Sequence, residues 1–239
     1  MKAERVSLTP AYLVHQYAWR ETSRVLEIWS REHGRLGLVA RGVRRPRSPY
    51  RSLLQPFAPL LLSWTQRSEL GSLTGAEAAG LPARLKGRPL MAAFYMNELL
   101  LRLLPRQDAH AALYDRYTAT LAALTESRPA AALRLFEKHL LDAMGYGLNL
   151  TRALPGDGPV EADAQYLYEL DSGPRRLIGR RSSGLVIRGR VLLALHGEAL
   201  DDADDLRVAK RLLRAALERH LDGRALKSAA VMRAMNKGA

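Results

Sequence analysis

The most distinctive chemical feature of this chain is a run of arginines in its first quarter. Seven arginines and a single acid, Glu32, lie between Arg31 and Arg51. Guanidinium groups this close repel one another unless an anion lies among them, and their planar forks match the oxygens of a phosphate. The run therefore predicts contact with a nucleic-acid backbone. The arginines assigned to this contact are Arg35, Arg41, Arg44, Arg45, Arg47 and Arg51.

Aromatic residues precede this run and can offer stacking surfaces to bases. Trp19 and Trp29 lie on either side of a polar turn at residues 21–23. Proteins that hold single strands without sequence preference combine a basic groove with such aromatic faces. We predict that both tryptophans contact nucleic acid, with burial in a core as the alternative for each.

Two further basic clusters lie in the C-terminal half. Within residues 175–190 six arginines occur without an acid between them. The second cluster occupies positions i, i+4 and i+7 of a predicted helix, and so shares one face. Each cluster is predicted either to extend the binding surface or to be solvated. The residues assigned to binding are Arg175, Arg176, Arg180 and Arg181 in the first cluster and Arg207, Arg211 and Arg214 in the second.

Composition favours a polyanionic partner. The formal net charge is +13, and residues 1–90 carry +9 of it (15 basic minus 6 acidic residues). Such an excess favours nucleic acid over a membrane surface. Cysteine is absent, so disulfides and thiolate metal sites are excluded. Without a signal-peptide pattern or a long apolar stretch, we expect a soluble cytoplasmic, nucleoid-associated protein without membrane contact.

Motifs of catalysis are missing from the chain. It has no P-loop, GxGxxG, GxSxG or HExxH pattern, and its six histidines are scattered. Four aspartates at residues 201–205 immediately precede a predicted helix, where capping explains them better than metal binding. We therefore expect no enzyme activity, no metal and no cofactor.

The elements that position the arginines are strands over roughly the first 80 residues. Gly34 supplies a positive φ in a hairpin turn at residues 32–35. Five short strands favour a small OB-fold barrel, although SH3-like barrels have similar strand numbers. The predicted strands are Tyr12–Trp19, Arg24–Ser30, Leu36–Arg41, Leu60–Thr65 and Leu70–Glu77.

Helical spacing replaces the strand pattern from about residue 83. The predicted helices lie between Pro89 and Pro105, after Asp108, from Pro129 to Gly145, after residues 201–205, and from Leu226 to Met235. The fold class is therefore α+β. Residues 1–82 are predicted to form a five-stranded OB-fold barrel that binds nucleic acid. Residues 83–239 are predicted to form a mostly helical domain with an irregular or weakly β insert at about 151–200.

Several segments, in order along nearly the whole chain, resemble the RecO family of bacterial recombination mediators of DNA repair. They include HGR at 33–35, ARGVRRPRS at 40–48, LQPF at 54–57, MGYG at 144–147 and LKS at 226–228. Each motif is weak alone, but together they are specific. The resemblance implies an OB-fold followed by a helical domain. Some members carry a four-cysteine zinc module after the MGYG-like turn, so this cysteine-free chain resembles the zinc-free branch.

The resemblance also implies a function. Family members bind single- and double-stranded DNA, anneal complementary strands and work with RecR. They contact the acidic tail of single-strand-binding protein (SSB) and help to load RecA onto SSB-coated DNA. Because that tail ends in an apolar residue, its receptor needs a cation beside an apolar pocket. The helix before the MGYG-like turn is assigned this role, with a core position as the alternative, through Arg134, Phe136, His139, Leu140 and Leu141.

Other function classes fit the same residues. Charge does not distinguish DNA from RNA, whose 2′-hydroxyl is read separately, so an RNA-binding OB-fold accessory protein is one alternative. An adaptor that docks acidic proteins is another. We select a non-enzymatic DNA-repair mediator, in which strands are bound by backbone contact and stacking and are annealed by charge neutralisation.

Overall fold

The computed structural model describes residues 4–126, 128–154, 156, 158–178, 184–221 and 223–237. The elements in chain order are β1 (Glu4–Trp19), β2 (Ser23–Ser30), β3 (Gly34–Ala40), α1 (Tyr50–Leu53), β4 (Pro59–Gln66), β5 (Leu70–Ala78), α2 (Gly87–Leu103), α3 (Ala111–Ala123), α4 (Pro129–Ala143), β6 (Gln165–Glu169), β7 (Gly173–Arg176), β8 (Leu185–Arg188), α5 (Gly189–His196), α6 (Ala203–Arg219) and α7 (Lys227–Lys237). The predicted α+β class, with strands before helices, is confirmed.

The first five strands close into an OB-like barrel in the order β1-β2-β3-β5-β4. All neighbours are antiparallel except β3 and β5, which run parallel. β1 begins well before the predicted Tyr12 because its first half pairs with β4 and its second half with β2. Inward-facing residues fill the interior, among them Leu13, Leu26, Ile28, Leu36, Leu38, Leu60, Leu62 and Trp64.

Buried polar groups join α2 and α3 to the outside of the barrel. Asn97 of α2 donates through Nδ2 to the carbonyl oxygen of Val14 at 3.0 Å, and its Oδ1 accepts from the Tyr117 hydroxyl of α3 at 2.6 Å. The barrel, both of these helices and α7 form one compact unit, residues 1–125 and 226–239. Residues 126–225 form the second unit. The domain boundary between residues 82 and 83 stays a prediction.

The HGR segment has a structural explanation in a close backbone approach. Gly34 begins β3 with a φ of 67°. A Cβ at this position would lie 2.2 Å from the carbonyl oxygen of Asp108, in the segment that follows α2. One residue earlier, the Gln107 N–H donates to the carbonyl oxygen of Arg35 at 2.8 Å. Gly34 thus lets this segment pass directly against the barrel.

The second unit contains α4, α5, α6 and a three-stranded sheet in the order β7-β6-β8. The sheet and α5 occupy the region predicted as irregular or weakly β. Asp202 caps α6 as predicted, because its side chain accepts from the N–H groups of Asp204 and Asp205, both at 2.9 Å. These backbone donors hold the pKa of the Asp202 carboxyl below its usual range.

The MGYG segment ends α4 with a glycine cap. Gly145 takes a φ of 80°, and the Tyr146 N–H donates back to the carbonyl oxygen of Leu141 at 2.9 Å. This left-handed turn satisfies carbonyl groups that have no partner inside the helix. The Tyr146 ring then stacks on His220, beyond the end of α6, with ring centroids 3.8 Å apart. The motif therefore links the C-terminal ends of the two helices.

The LKS segment fixes α7 to α2 through a carboxylate. Glu98 accepts from the backbone N–H groups of Lys227 and Ser228, each at 2.9 Å, and from the Ser228 hydroxyl at 2.6 Å. Burial alone would raise the pKa of Glu98. The hydrogen bonds from Ser228 and Lys227 outweigh burial and hold this pKa below its ordinary 4.5.

Replacing Glu98 by Gln should destabilise the protein by about 2 kcal/mol at pH 7, because charge-assisted hydrogen bonds to the start of α7 are lost. The folded-state pKa is depressed, so this contribution is present above about pH 4.5 and disappears as pH falls through the folded pKa. Urea unfolding of both proteins from pH 7 to pH 3 measures the difference. Glu77→Gln, an exposed residue of β5, is the matched control. A constant Glu98→Gln difference across this range would contradict the assignment.

Replacing Gly34 by Ala should cost more than 2 kcal/mol of unfolding free energy. A left-handed conformation costs about 1–2 kcal/mol for a residue with a Cβ, and the Asp108 carbonyl adds a clash. Gly87 provides the comparison, since its φ is 55° but a Cβ there would meet nothing within 4 Å. Gly87→Ala should therefore lose only the conformational part. Equal losses in urea unfolding would show that the Asp108 approach is unimportant.

Candidate nucleic-acid interface

The basic loop, residues 41–51, follows β3 and includes the first two residues of α1, and apolar side chains anchor it at both ends. Val43 and Leu54 are each 2% exposed and belong to the barrel interior. Gly42 takes a φ of 66°, and its carbonyl oxygen accepts from the Arg45 N–H at 3.1 Å, which closes a tight turn around Val43. Because the valine points inward, the arginines on either side of it point to solvent.

The basic loop is attached to the β1–β2 turn, residues 20–22. The Arg44 N–H donates to the carbonyl oxygen of Thr22 at 2.9 Å, and Arg44 Nη1 contacts the carbonyl oxygen of Arg20 at 3.4 Å. The turn and the loop therefore form one edge of the barrel. Arg20 is exposed and is not among the predicted residues. In the sequence, the neighbouring Glu21 offsets the charge of Arg20. The only sequence signal for Arg20 as a binding residue is its position in the turn directly after Trp19.

The charge of the basic loop is not compensated by nearby acids. All five of its arginines are exposed, and within the part of the chain that the structure describes none of them lies within 4.0 Å of a carboxylate. Five uncompensated guanidinium groups on one short loop can accept phosphate oxygens without first breaking an ion pair. These residues are Arg41, Arg44, Arg45, Arg47 and Arg51.

An exposed aromatic pair lies at the same end of β1. Trp19 is 43% exposed at the last position of the strand, opposite Ser23 of β2. Tyr17 is 50% exposed and makes an edge-on contact with His15, with ring centroids 4.5 Å apart. Trp19 adjoins the turn that holds Arg44, so a strand that contacts the basic loop can also stack a base on the indole.

Trp29 is not a base-stacking residue in this structure. Its side chain is fully buried, and its ring lies 5.4 Å from the rings of both Tyr114 and Tyr117 of α3. The prediction for this tryptophan was wrong, because α3 covers the end of the barrel face on which it lies. Its contribution is to packing between the helix and the barrel.

The Arg35 side chain is also largely buried and makes contacts within the protein. Its side chain is 14% exposed, and Nη1 donates to the Glu27 carboxylate at 3.1 Å. Nε and Nη2 donate to the carbonyl oxygen of Leu104 at 3.1 and 3.0 Å. Arg106 pairs with the other oxygen of the same carboxylate. Arg35 thus has donors engaged in a partly buried network, which disfavours contact with DNA, and its assignment to DNA contact stays a prediction.

Most of the predicted arginines of the second unit are paired with acids. Arg175 pairs with Glu169, and Arg176 donates to both oxygens of Glu161 at 2.9 and 3.0 Å. On α6, Arg207 pairs with Asp204 and Arg214 with Glu218. Arg211 is exposed and has no carboxylate partner among the described residues. Arg180 and Arg181 lie outside the described residues.

Four of the five predicted SSB-tail residues are buried in this structure, and His139 is partly exposed. Phe136, Leu140 and Leu141 are completely buried, so they present no open pocket to a peptide. Arg134 is buried as well and pairs with Glu137 at 2.8 Å. His139 contacts Glu198 through Nε2 at 2.6 Å. The alternative of a core position therefore holds for the three apolar residues, and the prediction of an open pocket made by them was wrong.

No helix among the described residues is long and apolar enough to cross a bilayer. Nor do three or more histidine, aspartate or glutamate side chains converge there in a way that could hold a metal ion.

Comparisons with known proteins agree on one family. Residues 3–81 match the model described as Recombination protein O N terminal, and residues 84–230 match Recombination protein O C terminal. A protein named DNA repair protein RecO from Nitrosococcus oceani is 48% identical over 98% of this chain and 95% of its own length. Its namesake from Alkalilimnicola ehrlichii is 46% identical, over 98% and 93%. The chain therefore belongs to the RecO family of DNA repair proteins.

Proposed function

We propose that this chain is a non-enzymatic recombination mediator that binds DNA at the edge formed by the basic loop and the β1–β2 turn. One observation carries the proposal: five exposed arginines, which have no carboxylate partner among the described residues, lie beside an exposed tryptophan. OB-folds commonly bind oligonucleotides through the loop between their first two strands and the adjoining strand faces. The arginines contact phosphates and fix the strand, while Trp19 stacks on a base.

Annealing follows from the charge of the protein. Two single strands repel each other through their phosphates, and a chain with a net charge of +13 lowers that repulsion for both. The protein also raises the local concentration of each strand. Base pairing then supplies the free energy, so the reaction needs neither nucleotide hydrolysis nor a catalytic residue.

Membership of the family supports a set of partners. We propose that the chain acts with RecR, contacts the acidic SSB tail and helps to load RecA on SSB-coated DNA. This proposal names the SSB tail as a partner but assigns it no binding site on the chain, because Phe136, Leu140 and Leu141 are buried. A titration of the full chain with the tail peptide tests it directly.

Replacing Arg41, Arg44 and Arg45 with Glu should weaken binding to single-stranded DNA by roughly 100-fold at low salt. Three lost phosphate contacts should also make the slope of log K against log salt shallower by about 2. Fluorescence anisotropy with a labelled oligonucleotide measures both quantities. Annealing of naked and of SSB-coated complementary strands should fall in parallel.

A second triple reversal controls for net charge. Arg84, Lys86 and Arg88 are exposed in the same compact unit, and their change to Glu alters the charge equally. This control should retain most of the affinity and most of the salt slope. Equal losses in the two variants would mean that charge alone, and not the basic loop, determines binding. Matched RNA oligonucleotides in the same assay report any preference between the nucleic acids.

Replacing Trp19 with Ala should cost about 1–3 kcal/mol of binding free energy, because one stacked base is lost. Trp19→Phe should recover part of the affinity, since it keeps an aromatic face. The midpoint of thermal unfolding should change little, because Trp19 is exposed. Trp29→Ala is the contrasting variant: it should lower protein stability by about 3–5 kcal/mol. Unchanged affinity in Trp19→Ala would remove the stacking contact from the proposal.

A further inference from the structure

The second compact unit contains an open cleft lined mostly by charged side chains. Its volume is about 370 Å³, within the range of small-ligand sites. The lining comes from β6, β8, α5 and α6, all within residues 126–225. Four arginines and two aspartates form most of it, and the lining residues are Gln165, Val186, Arg188, Arg190, Val191, Asp204, Asp205, Arg207, Val208 and Arg211.

Ion pairs compensate only half of the positive charge in this cleft. Arg190 pairs with Asp205 at 2.9 Å, and the Asp205 side chain is only 12% exposed. Arg207 pairs with Asp204, and both of these side chains are largely exposed. Arg188 and Arg211 are exposed and have no carboxylate within 4.0 Å among the described residues. The cleft therefore holds two uncompensated guanidinium groups, one from the sheet and one from α6.

This arrangement suits an oxyanion with several acceptor oxygens. Two arginines that approach from facing elements can each donate two parallel hydrogen bonds to the same anionic group. The lining contains no aromatic side chain, so the cleft offers no face on which a base could stack. Its apolar part consists of three valines, a small surface for the anchoring side chain of a peptide. Backbone phosphates match these features better than bases or a peptide anchor.

We propose that this cleft binds the phosphodiester backbone of a nucleic-acid strand, which gives the chain a second strand-binding surface in addition to the basic loop. The proposal rests on the proposed annealing function and specifies how two strands are held by one protein. Each compact unit then carries its own phosphate-binding surface. One strand occupies the barrel edge and another the cleft, so that two strands are bound before they pair.

The exposed carboxylate of Asp204 limits how much phosphate the cleft can hold. An exposed ion pair contributes little to stability, so a phosphate can replace Asp204 as the partner of Arg207. The pair between Arg190 and the more buried Asp205 should persist. Removal of the Asp204 charge should therefore improve binding of a strand, which a purely structural role for the cleft does not predict.

The test uses the full-length chain and anisotropy with a labelled oligothymidylate. Arg211→Gln should weaken binding roughly three- to tenfold and make the salt slope shallower by about 0.7, the value for one phosphate contact on a single strand. Asp204→Asn should strengthen binding by a similar factor. The matched controls are Arg219→Gln and Asp171→Asn, which break an exposed ion pair of the same unit outside the cleft lining. Both controls should leave affinity within about twofold.

The same substitutions in the triple-reversal background of the basic loop separate the two sites. Residual binding in that background should be lost with Arg188→Gln and Arg211→Gln and enhanced by Asp204→Asn. If the variant with Arg41, Arg44 and Arg45 changed to Glu binds DNA like the original protein, the barrel-edge proposal fails. The effects of the cleft substitutions on DNA binding can still be measured in that case. Thermal unfolding of each variant identifies any that are misfolded, and these are replaced by Arg→Lys variants, which retain the charge but lose the fork.

Two results would overturn the cleft proposal. In the first, Arg211→Gln and Arg219→Gln weaken DNA binding equally, which would make charge alone the cause. In the second, Arg211→Gln leaves DNA binding unchanged but weakens binding of a labelled oligo-aspartate peptide, which would identify the cleft as a peptide site. A selective loss of DNA binding in Arg211→Gln, together with a gain in Asp204→Asn, supports the proposal.

Discussion

Two arginines converge on one buried carboxylate, and the position of the helices against the barrel depends on this contact. Glu27 of β2 is nearly enclosed and pairs with Arg35 of the neighbouring strand and with Arg106, which follows α2. Removing one partner from such a cluster leaves an uncompensated buried charge, typically at a cost of 3–5 kcal/mol. Gly37 of β3 leaves room for the Arg106 side chain, because a Cβ at position 37 would lie 3.2 Å from Nη1 of Arg106. The chain leaving α2 is thus held across β3.

Ion pairs divide the arginines between residues 31 and 51 into two groups. Arg31 and Arg35 at the start of this range find carboxylates on other elements, Asp115 of α3 and Glu27 of β2. The arginines of the basic loop find none among the described residues. Density of charge in the sequence cannot make this distinction, since Asp115 lies 84 residues from its partner. The same holds for Arg176 and Arg219, whose partners Glu161 and Asp171 are distant in sequence.

Local signals in the sequence were sufficient for most of the secondary structure. Alternating apolar residues located the barrel strands, and the aspartates at 201–205 and Gly145 correctly located helix ends. A helix follows Asp108 as predicted, but its N-cap is His110, which makes no side-chain capping bond. Trp29 and Leu140 were ambiguous for another reason: an apolar side chain at a surface position and one beneath a neighbouring helix have the same spacing. Only the packing of neighbouring helices distinguishes the two: α3 covers Trp29, and α4, which carries Leu140, packs against α6.

The covering helices also explain why the candidate interface lies at an edge of the barrel. One outer face runs across β1, β2 and β3, with Tyr12, Trp29 and Arg35 in one row and Tyr17, Val25 and Val39 in another. α3 and the segment after α2 cover the first row, so the face that OB-folds often use for nucleic acid is most open in the second row at Tyr17, which is exposed while Val25 is buried. That open end adjoins the β1–β2 turn and the basic loop. A strand bound there meets a scaffold fixed by Val43 and by a backbone hydrogen bond to Thr22, so little backbone conformational entropy is lost when the arginines engage phosphates.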